Sequence, residues 1–399
     1  MATTEAAPVA RGSAGQAFLV GETIYLRAVE LGDAKTTPRW RPSPFPIPAE
    51  VAEENLKKEI PDQSRDRSQR LIAFRVADDR PVGSVMIETQ AFPSVWVYEL
   101  HADPILGERG GAVRAEIMRL VVPWLLHERE KMAVWVDTVG GDTQVEAAAA
   151  DLGMRFAYRL REAIWTDGQW HDEVMYEALH PAWIERLGLP KAAVEGAVER
   201  EVRHPAPLLL PTPDEPPGTA VMVGERLYLR PLEEDDMAAI ARWSLQETET
   251  FHEDGRYVRS SIAHWHWTKK LAEDDPPEWV RFGIVLRETD ELIGANGIAD
   301  IDWVNRIAET ETEIYRHEHR GGGYGSEAKH LLLTYAFERL GLHSVKSFAW
   351  SFNTRSAAAL RKQGYRDAGC IHWSGFKDAD FAGDVVFDLL ASEWRAARR

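Results

Sequence analysis

Cysteine is almost absent: Cys370 is the one thiol in 399 residues. That excludes an internal disulfide framework and a cysteine-rich metal centre, and Cys370 itself lies in a predicted strand as a core residue. No apolar run approaches the roughly 18 residues of a membrane-spanning helix. Met1–Gln16 is small and polar and lacks the apolar core of a signal peptide, so the cytoplasm is expected and no membrane partner is. Positive charge is in short supply. Lys and Arg number 47 against 64 Asp and Glu, a net charge of −17, which argues against nucleic acid and mildly favours cationic substrates. Metal ligands at useful spacing are missing too. His264 and His266 are two apart, on different helix faces, and no third ligand accompanies them, so no metal is expected. The tryptophans of so acidic a chain read as packing rather than as base-stacking platforms.

What the chain does have is a glycine-rich junction. His319-Arg320-Gly321-Gly322-Gly323-Tyr324-Gly325-Ser326-Glu327-Ala328 follows an alternating run, Thr310–Tyr315, that predicts a strand. It leads into apolar residues at 328, 331, 332, 335, 336 and 340, which predict a helix. Four glycines here allow φ > 0 and leave the backbone bare. The first amides of the helix then face outward at the positive end of its dipole, a phosphate site by construction. The spacing is neither that of a P-loop, which needs a Lys-Ser or Lys-Thr pair, nor G-x-G-x-x-G.

The pattern that fits is Arg-x-x-Gly-x-Gly, with Arg320, Gly323 and Gly325. It is followed by Asn353-Thr354-Arg355-Ser356, by Leu360-Arg361-Lys362-Gln363-Gly364-Tyr365, by Phe376-Lys377-Asp378 and by Asp384-Val385-Val386-Phe387. Over about 224–395 this resembles the GNAT (general N-acetyltransferase) superfamily, and most of all its branch that acetylates ribosomal-protein N-termini. The resemblance implies an α/β (α+β) fold whose fourth and fifth strands splay apart to admit acetyl-CoA.

The chain also echoes itself. Val20-Gly21-Glu22-Thr23-Ile24-Tyr25-Leu26-Arg27 returns as Val223-Gly224-Glu225-Arg226-Leu227-Tyr228-Leu229-Arg230, 203 positions on. Pro81-Val82-Gly83, Arg109-Gly110-Gly111 and Leu152-Gly153-Met154 return 211 positions on, so the second copy carries about eight extra residues before its glycine loop. The expected organisation is two tandem GNAT-like domains, each a twisted mixed sheet with helices on both faces. A disordered tail is expected over 1–17, a degenerate domain over 18–180, a helix and proline-rich linker over 181–218, and the acetyltransferase domain over 219–399. In the first copy Ala112 and Arg114 stand where Gly323 and Gly325 stand in the second, and Asp142 replaces Asn353. A β-carbon at a φ > 0 position costs about 1 kcal/mol. The acid brings negative charge toward an anionic cofactor, so this copy is expected to pack or shape rather than bind.

Acetyl transfer to an amine needs a held thioester, a neutral amine, a donor to the carbonyl oxygen and a proton for the departing thiolate. The resemblance sets the pantetheine along Glu313-Ile314-Tyr315. It sets the pyrophosphate on Arg320, Gly321, Gly322, Gly323, Tyr324, Gly325 and Ser326, and a further contact at Asn353. It implies a backbone N–H beside a strand bulge near Tyr315 as oxyanion donor. Glu309, Glu311 and Glu313 alternate along one strand and share a face, either a proton relay or a solvated edge. Glu313, nearest the loop, is the expected base, with Glu311 in reserve. Leu360 stands where many family members carry an acid tyrosine, and Ser356 is the implied proton donor in its place. A helix-capping role for Ser356 is the competing reading. His252, Glu253 and Asp254 are candidates for contact with the acceptor. The acceptor is a primary amine, whether a protein N-terminus, an aminoglycoside-like small amine or a polyamine. The competing class is a non-catalytic acyl-CoA sensor. A homodimer is compatible with either.

Overall fold

The computed structural model describes residues 16–62, 68–89, 94–187, 218–246, 259–377 and 380–398. Most of the expected tail, the proline-rich linker beyond 187, the 252–254 cluster and Asp378 lie outside the described residues.

In chain order the elements are β1 (Leu19–Val20), β2 (Ile24–Ala28), α1 (Thr37–Trp40), α2 (Ala49–Asp62), β3 (Ser68–Arg75), β4 (Pro81–Thr89) and β5 (Ser94–Ala102). Then come α3 (Gly110–Pro123), β6 (Ala133–Val139), α4 (Thr143–Asp151), β7 (Arg155–Thr166), β8 (Gln169–Leu179) and α5 (Pro181–Leu187). The series starts again with β9 (Met222–Val223), β10 (Leu227–Pro231), α6 (Met237–Gln246), α7 (Ser261–Leu271), β11 (Val280–Leu286), β12 (Leu292–Asp302) and β13 (Ile307–Ile314). It closes with α8 (Tyr324–Thr334), β14 (Ser344–Trp350), α9 (Thr354–Lys362), β15 (Arg366–Lys377), β16 (Asp380–Leu390) and α10 (Ala391–Ala396). The mixed α/β class expected from the sequence is what the chain adopts.

Contacts divide it into two compact units, and the division departs from a single cut in the linker. Leu160–Asp172 counts with the second unit and His372–Phe376 with the first.

The first unit runs its strands in the order β1-β2-β3-β4-β5-β6-β8, all antiparallel except β5 against β6. One apolar layer gathers Ile117, Met118 and Val121 of α3 on the sheet; another gathers Trp40 and Leu56 of α1 and α2 on its opposite face. The second unit repeats the order as β9-β10-β11-β12-β13-β14-β16, again with one parallel pair, β13 against β14. Leu331 and Leu332 of α8 pack on one face, and Met237 and Ile240 of α6 on the other. Among the described residues no helix is long and apolar enough to cross a membrane, and no cluster of three or more metal-ligating side chains forms.

Candidate active site in the second unit

Parallel strands β13 and β14 pair at only three positions, Ile307 with Ser344, Ala308 with Val345 and Glu309 with Lys346, and then diverge. Side-chain hydroxyls take over where the ladder stops. Ser347 Oγ donates to the Thr310 carbonyl at 2.9 Å, and Thr310 Oγ1 meets the buried Tyr365 hydroxyl at 2.6 Å. The result is a pinned apex with an open gap beyond it. Along β13 the hydrogen-bonding direction alternates. Tyr315 N–H donates to Ile293 on β12, whereas the carbonyls of Thr310 and Ile314 receive bonds from the other side. The same alternation turns the N–H groups of Thr312 and Ile314 into the gap. The Tyr315 N–H itself is taken up by Ile293, and the N–H nearest to it that faces the gap is that of Ile314. The irregular register of this strand pair falls at Ala299–Asp302, far from Tyr315.

The glycine junction closes the wide end of the gap. Gly321 and Gly323 have φ of 83° and 84°, and Gly323 in the left-handed region is the residue from which α8 starts. Only these two need glycine for their φ; Gly322 and Gly325 do not. The amides of Tyr324, Gly325 and Ser326 open the helix with no intrahelical acceptor. Arg320 turns its guanidinium back, donating from Nε to the Ile314 carbonyl at 2.8 Å and from Nη2 to that of Tyr315 at 3.1 Å. It fixes the loop to the strand end. A residue that the motif does not contain supports the outer side. Arg226 donates to the Gly322 carbonyl, stacks over Tyr324 with its guanidinium carbon 4.5 Å from the ring centre, and pairs with the buried Glu327 at 2.9 Å. Glu327 also accepts the Arg226 and Leu227 amides. Sequence reasoning passes over this pair because its members are about a hundred residues apart.

The three carboxylates share a face but not an environment. Glu309 stands at the apex. Burial, with Asp300 and Glu311 close by, pushes its carboxyl up to about 7 against the pull of Lys346 and Lys329. Glu311 leans over Gly297, where a β-carbon would meet its carboxylate at 2.8 Å, and so comes within 3.8 Å of Arg281 two strands away. Arg281 also stacks over Trp267 and lies 3.5 Å from the Tyr315 hydroxyl. Glu313 is four residues beyond the apex, opposite Ala295. Lys329, on α8, is buried, and burial holds its ammonium down to about 7 while Glu311 and Glu309 oppose the shift.

Asn353 is buried and caps α9, accepting the Ser356 amide at 3.1 Å. Ser356 is therefore the capped residue and not the cap, and it stands half-buried at the open end of β14. Tyr315 stacks on Trp243, and together with Arg242, Gln246 and the stretch from Arg316 to Glu318 they line a pocket of about 400 Å³ beside the end of β13.

The first unit differs at its glycine junction in more than sequence. Its helix begins at Gly110, so Gly110–Ala112, which correspond to Gly321–Gly323, are wound into α3 rather than looped. Asp142 lies against Gly111, where a β-carbon would touch its carboxylate at 2.8 Å, and Arg114 pairs with it at 2.7 Å. Register with the neighbouring strand sets Trp96, Tyr98 and His101 of β5 where Glu309, Glu311 and Glu313 stand in β13.

Residues 226–366 match the family model described as an acetyltransferase (GNAT) domain. An uncharacterized N-acetyltransferase of Bacillus licheniformis, p20, is 35% identical over 114 residues, 29% of this chain and 64% of that relative's length. Another of Bacillus subtilis, YoaA, is 29% identical over 38% of this chain and 85% of its own. Among solved structures, a spermidine N-acetyltransferase of Vibrio cholerae in complex with CoA and spermine is similar over 43% of this chain and 98% of its own, at 22% identity and a TM-score of 0.39. The glycine junction, the splayed parallel pair and the family match fall on the same stretch, and residues 226–366 are an acetyltransferase (GNAT) domain.

Proposed function

We propose that the second unit moves an acetyl group from acetyl-CoA to a primary amine by direct attack, with Glu309 as the base. The observation that supports this best is the place of Glu309: at the apex of the gap, half-buried, with its carboxyl raised to about 7. A general base works best when its proton affinity lies near the working pH. Glu313 and Glu311, expected from sequence to serve, are less well suited. The first is nearer the loop than the apex, and the second faces Arg281.

Acetyl-CoA supplies an activated thioester, and the residues present fit it. The bare amides from Tyr324 to Ser326, at the start of α8, suit its pyrophosphate. The N–H groups of Thr312 and Ile314 face the gap, where that of Ile314 suits an amide of the pantetheine arm and that of Thr312 the carbonyl oxygen of the thioester. The row of Glu309, Glu311 and Glu313 draws in an ammonium, and Glu309 takes its proton. A protein α-amino group, with a pKa near 8, asks less of that base than an alkylamine near 10.4. Ser356 stands at the open end as the proton donor. The acceptor class remains a primary amine.

The test is CoA-thiol release with polyamines, aminoglycosides and short peptides as acceptors, followed across pH about 5 to 9. The expected kcat/KM climbs through about pH 7 as Glu309 loses its proton. The Glu309→Gln variant loses that limb and most turnover. Full activity in Glu309→Gln with loss in Glu313→Gln moves the base to Glu313. Binding of acetyl-CoA without thiol release for any acceptor favours the sensor reading.

A further inference from the structure

The first unit buries charge on the sheet face covered by α1 and α2, away from its closed glycine junction. Arg70 of β3 is 4% exposed. Its Nη2 meets Glu99 at 2.5 Å, while Nε and Nη1 are buried without a hydrogen-bond partner. Glu59 of α2 approaches Arg70 Nε at 3.7 Å, beyond hydrogen-bonding distance, and that same Oε1 is buried and unpartnered. The other Glu59 oxygen pairs at 3.1 Å with Arg41, just past α1, whose Nη1 is again buried and unpartnered. His101 of β5 adds an unpartnered Nε2. Its imidazole is pushed down to about 4 by burial and by Arg114 and Arg70, against Asp103, so it is neutral.

Native folds leave few buried polar atoms unpaired, and these belong to side chains of β3, β5, α2 and the residue just past α1. Arg41, Glu59 and Glu99 are part-exposed above a buried Arg70, while the unpaired atoms themselves are buried, so a ligand reaches them once the part-exposed side chains above Arg70 move aside. The two arginines balance the two glutamates. A lone anion would leave Glu59 Oε1 unpaired, and a lone cation would leave the guanidinium nitrogens unpaired.

We propose that this cluster binds a small zwitterion, an α-amino acid or a molecule with the same carboxylate and ammonium pair. Its carboxylate accepts from Arg70 Nη1 and Arg41 Nη1, and its ammonium donates to Glu59 Oε1. The first unit is then a ligand-binding module although its phosphate loop is wound into helix. The proposal is independent of the chemistry assigned to the second unit.

The full chain is tested by thermal unfolding and calorimetry against each of the standard α-amino acids, with acetate and methylamine as half-ligands. A ligand that binds only the folded state raises the melting temperature. At least one amino acid is expected to do so and to bind at one site, with acetate and methylamine about tenfold weaker or worse. Arg41→Gln and Glu59→Gln, both at part-exposed positions, each weaken that binding about tenfold or more, while far-UV circular dichroism and cooperative unfolding stay as in the wild type. The proposal is overturned if no amino acid binds the wild type. It is equally overturned if both variants bind as well as the wild type, or if acetate alone binds as tightly as the best amino acid.

Discussion

Arg27 grips Asp33 through two nitrogens in the first unit, and Arg230 grips Asp236 in the same way in the second. Tyr25 reaches Asp79 as Tyr228 reaches Asp290, and Glu116 and Glu327 each accept two amides of the tight turn that opens their unit. These pairs hold the turns and the first strands, and both units keep them. At the gap they part. Where the second unit has Glu309, Thr310 and Glu311 the first has Trp96, Val97 and Tyr98, and where it has Lys329 and Tyr365 the first has Met118 and Met154. The fold's scaffold and its chemistry are thus separable sets of residues. Losing a scaffold pair should cost a similar, modest amount of stability in either unit, whereas losing a gap residue matters in one.

The two units differ most in consequence at Glu309. Glu309→Gln is expected to lower kcat/KM by about 10²–10⁴, the usual worth of a general base, with acetyl-CoA binding by calorimetry unchanged. The same change alters how stability depends on pH. A carboxyl raised from its unfolded value to about 7 is penalised once ionised, so the wild type loses stability between about pH 4.5 and 7. Glu309→Gln should therefore gain stability mainly above pH 7, read by urea unfolding at two pH values.

Next in size is the apex. Thr310→Val, which installs the residue of the first unit, leaves the buried Tyr365 hydroxyl without its partner. It should cost about 1–3 kcal/mol in urea unfolding, and Thr310→Val with Tyr365→Phe should recover part of that loss.

Lys329→Met imports Met118. A buried amine whose proton affinity is held down to about 7 is penalised fully below pH 7, and less and less as pH rises toward its unfolded value. The variant should gain stability most in acid, and the limb of the pH–rate profile assigned to Glu309 should move upward once the positive charge is gone. The smallest effects belong to the scaffold. Tyr25→Phe and Tyr228→Phe should each cost about 1 kcal/mol and leave turnover unaltered.

The glycine junction, the strand before it and the helix after it are legible in the sequence because each rests on local signals: alternation, four glycines, a helical period. The self-echo is legible for the same reason. What is not legible depends on register and on distance along the chain. The choice among Glu309, Glu311 and Glu313 turns on where β14 leaves β13, and nothing in the carboxylate spacing records that point. Tyr315 reads as an oxyanion neighbour until its N–H is found on Ile293. Lys329 and His330 fall between the apolar positions 328, 331 and 332 that predict the helix, yet α8 is buried from Glu327 through Leu333. Arg281 meets Glu311 only because Gly297 stands between them without a side chain. The wound-in helix of the first unit goes beyond what its substitutions imply, since losing two glycines predicts a poorer loop rather than none.

Acetyl-CoA is expected to bind the second unit and not the first, and calorimetric titration of acetyl-CoA into the full chain distinguishes the two. One site per chain is expected, abolished by Gly323→Glu, which puts a carboxylate at a φ of 84° beside Arg226, and untouched by Arg114→Ala in the first unit. Two sites per chain, or one site that survives Gly323→Glu, would contradict it.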